Sequence, residues 1–174
     1  MVIFMNKNYI PTWHCTKAIN IDVDKIQQLG FKVVFCDIDN TLVSPFVKKP
    51  TQDVIDFVNK FKEKDIKFIL ISNNNEKRVK EFATDLDVEY IFKSKKPNPK
   101  KMLAFIEKLN VEKKYIVSIG DQIMTDVLCA NRAQISVILV DKLEKKEQLI
   151  TFFPRRLDIF FRKRLKKKNL LKEF

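Results

Sequence analysis

Residues 33–43 read Val33-Val34-Phe35-Cys36-Asp37-Ile38-Asp39-Asn40-Thr41-Leu42-Val43. This is an apolar, β-rich run that ends in two carboxylates and a threonine instead of turn residues. A short continuous apolar run is the pattern of a strand buried on both faces. In an open α/β sheet, ligands bind outside the carboxyl ends of the strands. Two acids held there side by side suit a divalent cation, and they can divide nucleophilic and proton-transfer duties.

Working outward, strand-like and helix-like patterns alternate. Strands are expected over 32–37, 66–71, 88–92, 115–119 and 135–140, and helices over 51–64, 77–86, 98–109 and 123–132. Within 51–64 the apolar positions 54, 55, 57, 58 and 61 make one helix face. Alternation of this kind implies right-handed crossovers. The expected fold is α/β: a Rossmann-like three-layer sandwich around a central, mainly parallel five-stranded sheet. The expected organisation is one domain over 1–174, with a core at about 30–141 and a basic helical extension at about 142–174. Residues 1–30 precede the sheet and have no obvious place in it.

The carboxyl ends of the first four strands carry the chemistry. They are Asp37-Ile-Asp39-Asn-Thr41, Ser72-Asn73-Asn74-Asn75, Lys93-Ser-Lys-Lys96-Pro97 and Gly120-Asp121-Gln-Ile-Met-Thr125-Asp126. A parallel sheet gathers all four along one edge. Asp37, Asp39, Asp121, Asp126 and Lys96 there form a site for Mg²⁺ and phosphate, the metal and lysine offsetting the repulsion between carboxylate and phosphoryl group. Asp37 is placed to attack phosphorus, and Asp39 to protonate the leaving alkoxide and later deprotonate water. The Ser72 hydroxyl and the Asn73 amide can hold a non-bridging phosphate oxygen. Arg78, one turn into the following helix, reads equally as a second substrate-anion contact and as a surface ion pair.

These four segments, in order and at compatible spacing over about 30–141, resemble the motifs of the haloacid-dehalogenase (HAD) phosphatase superfamily. The resemblance implies Asp37 as nucleophile, Asp39 as general acid/base, Ser72 and Lys96 as phosphate-site residues, and Asp121 and Asp126 as metal acids. It also implies a metal contact from the Asp39 main-chain carbonyl, and loop and phosphate geometry for Thr41. Residues 35–43, 71–79 and 120–127 with Asn131-Arg132 further resemble the YqeG-like subfamily IIIA phosphatases, a group similar to phosphatidylglycerophosphate phosphatases. Members of that group are capless. Here about thirty residues separate Thr41 from Ser72 and about two dozen separate Ser72 from Lys96, too few for an inserted cap. An open site suits a large or lipid phosphorylated substrate.

Composition adds the remaining expectations. The 174 residues carry 34 Lys and Arg against 22 Asp and Glu, a formal charge of +12, which favours polyanionic partners. Cys15, Cys36 and Cys129 are widely spaced and read as reduced core thiols. The first five residues are too short for a signal-peptide core, and no stretch reaches the ~20 apolar residues of a spanning helix. A cytoplasmic protein, peripheral on the inner face of the membrane, is expected. Residues 151–174 carry nine Lys and Arg against two acids. Leu157, Phe160, Phe161 and Leu165 fall on one helical face there, with Phe152 and Phe153 before them. Such a helix suits an anionic bilayer, the phosphates of a nucleic acid, or docking on its own domain. The leading functional reading is a Mg²⁺-dependent phosphomonoester hydrolase acting through an aspartyl-phosphate, with phosphatidylglycerophosphate as substrate. The alternatives are a phosphatase of phosphoprotein or nucleic-acid ends, and an RNA- or ribosome-associated factor with a vestigial site.

Overall fold

The computed structural model describes residues 7–143 and 152–174, with side chains of the second segment from 157 onward. Six strands form one wholly parallel sheet: β1 (Trp13–Cys15), β2 (Val33–Cys36), β3 (Lys67–Ile71), β4 (Glu89–Ile91), β5 (Ile116–Gly120) and β6 (Ser136–Val140), in the order β1-β6-β5-β2-β3-β4. The helices are α1 (Val23–Gln28), α2 (Gln52–Glu63), α3 (Glu76–Leu86), α4 (Lys100–Leu109), α5 (Leu128–Ala133) and α6 (Phe152–Lys167).

The sheet has one strand more than the sequence suggests. β1 pairs with β6 from Trp13↔Ile138 to Cys15↔Val140. Its other side is closed by the last residues: the His14 amide donates to Lys172 O (2.7 Å) and the Phe174 amide to His14 O (2.9 Å). Three residues reading Trp-His-Cys carry too little periodicity to announce a strand.

Period-two alternation assigns the strand side chains to two cores. Val34 and Cys36 pack with Val54, Phe57 and Phe61 of α2 and with Val79 and Phe82 of α3. Val33 and Phe35 pack on the opposite face with Met102 and Ile106 of α4, Ala130 of α5 and Leu165 of α6. All four residues of β2 are buried, as a central strand flanked by β3 and β5 requires. Burying both faces fixes the register, and with it which carboxylate emerges where. Between β2 and β3 the chain holds α2 alone, so no cap overlies the carboxyl edge of the sheet from there.

The amino-terminal segment docks through Asn131 of α5, whose side-chain amide donates to Asn8 O (2.8 Å) and Ile10 O (3.0 Å). Tyr9 stacks on Phe161 of α6 at 4.6 Å between ring centroids. The expected apolar face of the last helix is corrected in part. Phe161 and Leu165 turn inward, whereas Phe160 is 46% exposed. The reason is a charged pair one turn apart, Asp158 and Arg162, which shares the inward face and finds partners there. Phe152, Phe153, Arg155 and Arg156 have side chains outside the described residues, as do Met1–Met5. No helix among the described residues is long and apolar enough to cross a membrane.

Candidate active site

The loop after β2 curls back at once. Ile38 O accepts from the amides of Thr41 (3.3 Å), Leu42 (2.9 Å) and Val43 (3.2 Å), and Asn40 takes a left-handed conformation at φ 68°. Asparagine tolerates that region better than most residues. The curl brings the Thr41 hydroxyl to 3.2 Å from Asp37 Oδ2 and 3.3 Å from Asp121 Oδ1.

Lys96 stands at the centre. Its ammonium donates to Asp37 Oδ1 (2.7 Å), Asp126 Oδ1 (2.6 Å) and Ile71 O (3.0 Å), in a side chain only 4% exposed. Burial alone would lower the lysine pKa, but Asp126 and Asp37 outweigh it and hold it above its ordinary value. Asn73 positions this lysine. Its Oδ1 accepts from the Lys96 amide (2.8 Å) and the Ser94 hydroxyl (2.7 Å), and its Nδ2 donates to Lys96 O (3.0 Å). The side chain of Asn73 is therefore committed to the loop, and only its main-chain amide remains for the expected phosphate contact. Ser72, buried, accepts from the Asn74 amide (3.1 Å) and keeps its hydroxyl proton for another acceptor.

Asp126 reaches the cluster from a single π-turn, Ile123–Val127, ahead of α5. Its Oδ2 accepts from the Gln122 amide (3.0 Å) and lies 3.4 Å from the Thr125 hydroxyl. Gly120 makes room for it. A Cβ there would collide with Asp126 Cβ and Cγ and stand 2.8 Å from Oδ2.

Carboxylate oxygens of Asp37, Asp121 and Asp126 lie within 4.8 Å of one another. Both oxygens of Asp126 are engaged, whereas Asp121 Oδ2 is buried with no hydrogen-bond partner among the described residues. Three buried carboxylates against one ammonium leave uncompensated negative charge. Burial accordingly lifts the Asp37 carboxyl to about 7, Asp126 adding to the rise and Lys96 opposing it. Burial, reinforced by Asp126 and Asp37, also holds Asp121 well above the usual carboxylate range. An unpartnered oxygen in an all-oxygen set with excess negative charge fits a hard divalent cation. Asp121 has the free ligand atom; Asp126 is committed to Lys96 and the π-turn.

Asp39 stands apart from these three. Its Oδ1 pairs with Arg78 Nη2 (3.0 Å) and its Oδ2 accepts from Asn74 Nδ2 (3.2 Å). Arg78 Nη1 also donates to Lys48 O (2.7 Å), and the guanidinium lies over the Phe82 ring. The structure thus places Arg78 on the acid/base candidate, in an internal ion pair. It brings no Asp39 carboxylate oxygen into the acid triad. Asn74 is a contact the sequence reading passed over, its only signal being its place in the Ser72–Asn75 strand end.

Two neighbouring surfaces complete the edge. A groove of about 290 Å³ opens beside Thr41, walled by Lys17, Ile19, Leu42, Val47 and Leu143. On the other side α6 lies against the fourth-strand loop, with Asp158 Oδ1 accepting from the Ile123 amide (2.6 Å) and Arg162 bonding Asp121 O. Its outward face shows Ile159 (49% exposed), Phe160, Lys163, Lys166 and Lys167.

A parallel α/β sheet carrying this acid–lysine cluster at its carboxyl edge defines a hydrolase built for phosphoryl groups. The haloacid dehalogenase-like hydrolase model matches residues 22–140. "Probable phosphatase YqeG" of Bacillus subtilis (strain 168) is 33% identical over 165 residues, covering 95% of this chain and 96% of that protein. The chain belongs to the haloacid dehalogenase-like hydrolases and is a HAD-type phosphatase. The fold is similar to two solved structures. The cobalt-bound deoxy-D-mannose-octulosonate 8-phosphate phosphatase of Haemophilus influenzae has TM-score 0.53 and 15% identity, covering 64% of this chain and 69% of that one. An uncharacterized Listeria monocytogenes serotype 4b protein has TM-score 0.51 and 16% identity, covering 76% and 99%.

Proposed function

We propose that the protein is a Mg²⁺-dependent phosphomonoesterase that works through an aspartyl-phosphate at Asp37 on a phospholipid head group, phosphatidylglycerophosphate being the substrate proposed. The observation that carries the chemistry is the Asp37–Lys96–Asp126 cluster beside the unpartnered Asp121 Oδ2.

A cation held by Asp37 and Asp121, with the Asp39 carbonyl as a further oxygen, would neutralise phosphate charge. Asp37 Oδ attacks phosphorus as the ester P–O bond breaks, and the leaving alkoxide takes its proton from Asp39. Asp39, now ionised, removes a proton from water. The hydroxide oxygen bonds to phosphorus, the bond to Asp37 breaks, and inorganic phosphate leaves. Lys96 keeps Asp37 oriented, while the Ser72 hydroxyl and Asn73 amide are assigned to the non-bridging oxygens. Fixed donors of this kind act where charge develops.

Three features support a lipid substrate. The edge has no cap between β2 and β3. The groove beside Thr41 pairs a lysine with apolar walls. The outward face of α6, two apolar side chains among lysines, borders the same edge, a composition that suits an anionic bilayer.

The test supplies the protein with phosphatidylglycerophosphate in anionic vesicles, soluble phosphomonoesters, phosphopeptides and 5′- or 3′-phosphorylated oligonucleotides, each with Mg²⁺ or EDTA. Fastest turnover on the vesicles, lost in EDTA and in Asp37→Asn, is expected. Preference for the peptides or oligonucleotides would replace the lipid assignment. Substantial Mg²⁺-dependent turnover by folded D37N would sink the aspartyl-phosphate mechanism. RNA binding by a wild type inert on every substrate would favour a vestigial site.

A further inference from the structure

All three guanidinium nitrogens of Arg162 are engaged, and in one place. Nε donates to Asp158 Oδ2 (2.9 Å) and Nη1 to Asp141 Oδ1 (3.1 Å), while Nη2 donates to Val140 O (2.9 Å) and Asp121 O. Asp158, buried, spends its other oxygen on the Ile123 amide. The α6 pair therefore grips the loop carrying Asp121 at its first carbonyl and at the amide two residues on. It ties that loop to the end of β6. His14 of β1 joins the same network through Asp141 Oδ1 (3.0 Å).

We infer that Asp158 and Arg162 are positioning residues for the cation site, holding the Asp121 loop in register with Asp37 and Asp126 from the far end of the chain. The inference rests on the proposed reading of Asp37 and Asp121 as the acids that hold the cation. A helix needing only to dock would be served by Tyr9–Phe161 stacking and buried Leu165. A planar fork clasping main-chain carbonyls at the ligand-bearing loop adds directional control that apolar packing lacks. Outer-shell groups of this kind orient ligands, and their loss typically weakens metal binding about 10–100-fold.

Charge and geometry must be separated in the test, because removing a cation beside a cation site would by itself strengthen Mg²⁺ binding. Arg162→Lys keeps the charge and loses the fork. Asp158→Glu keeps the charge and displaces the carboxylate from the Ile123 amide and from Arg162. Mg²⁺ is titrated calorimetrically into full-length wild type, R162K and D158E, and thermal midpoints are recorded in EDTA. The expected result is Kd raised roughly tenfold or more in both variants, with R162K rescued by no increase in structural stability such as added osmolyte. Wild-type Kd in both variants, even with lowered midpoints, would overturn the inference and leave the pair as helix docking. Absence of Mg²⁺ binding by the wild type would overturn the cation site and this inference together.

Discussion

The Arg78 guanidinium stands 3.0 Å from Asp39 Oδ1, so the acid/base candidate is held by a cation from the next helix and not by the acid cluster beside it. Asn74 holds the second oxygen. Arg78→Leu should release the carboxylate and lower kcat roughly tenfold to a hundredfold through misplacement, with KM changed much less. Steady-state kinetics decide the matter. A raised KM at unchanged kcat would make Arg78 a substrate-anion contact instead.

Asn73→Ala leaves the Lys96 amide, the Lys96 carbonyl and the Ser94 hydroxyl without their present partners. Unsatisfied buried groups of this kind cost about 1–3 kcal/mol each at most, so urea denaturation should show a loss of that order. Turnover should fall with it, because Lys96 loses its support. Unchanged stability with a raised KM would return the Asn73 side chain to phosphate binding.

With no cation present, Asp37 and Asp121 hold protons in the folded state at pH values where the unfolded chain has released them. From about pH 4, the range of an exposed aspartate, to about pH 7, the folded form binds more protons than the unfolded form. Stability in EDTA should therefore fall as pH rises through that window. Mg²⁺ competes with those protons, so the midpoint gain on adding it should grow over the same interval. Thermal melts from pH 5 to 8, with EDTA and with Mg²⁺, measure both slopes. A rising EDTA curve would contradict the assignment.

Gly120→Ala places a methyl group against Asp126. Either the carboxylate or β5 must shift, at a cost of about 1–3 kcal/mol for overpacking. A shifted Asp126 no longer meets Lys96 as it does at 2.6 Å. The variant should show a lowered denaturation midpoint together with a sharp loss of turnover. Loss of neither would mean that the loop yields without consequence.

The candidate site was legible because its residues break a rule: acids and a lysine follow apolar runs where turn residues are expected. Asp37, Ser72, Lys96, Asp121 and Asp126 all reach the edge from such breaks, and a parallel sheet does the gathering. Arg78 stands out in the sequence as an anion contact or a surface ion pair, but nothing there joins it to Asp39, because a charged side chain on a helix face reads as solvated. The same bias hid Asp158 and Arg162. An i,i+4 ion pair on a basic helix gives no sign that it faces inward until the carbonyls it meets are known. Gly120 and Asn73 act through close approach and backbone bonds, which no periodicity reports.

β1 meets β6 on one side and Lys172–Phe174 on the other, and Trp13 lies edge-on to Phe174 with ring centroids 5.5 Å apart. The first strand made thus has its partners farthest along the chain. Its neighbour β6 comes more than 120 residues later in the chain, and its outer partner is later still. β2 and β3, by contrast, are joined by a crossover of about thirty residues. Assembly from the centre of the sheet outward is expected from those separations, with the closing step at β1. Trp13 is the only tryptophan in the chain, so its fluorescence during refolding is expected to report completion of the edge, after the strands that carry the acid cluster have paired.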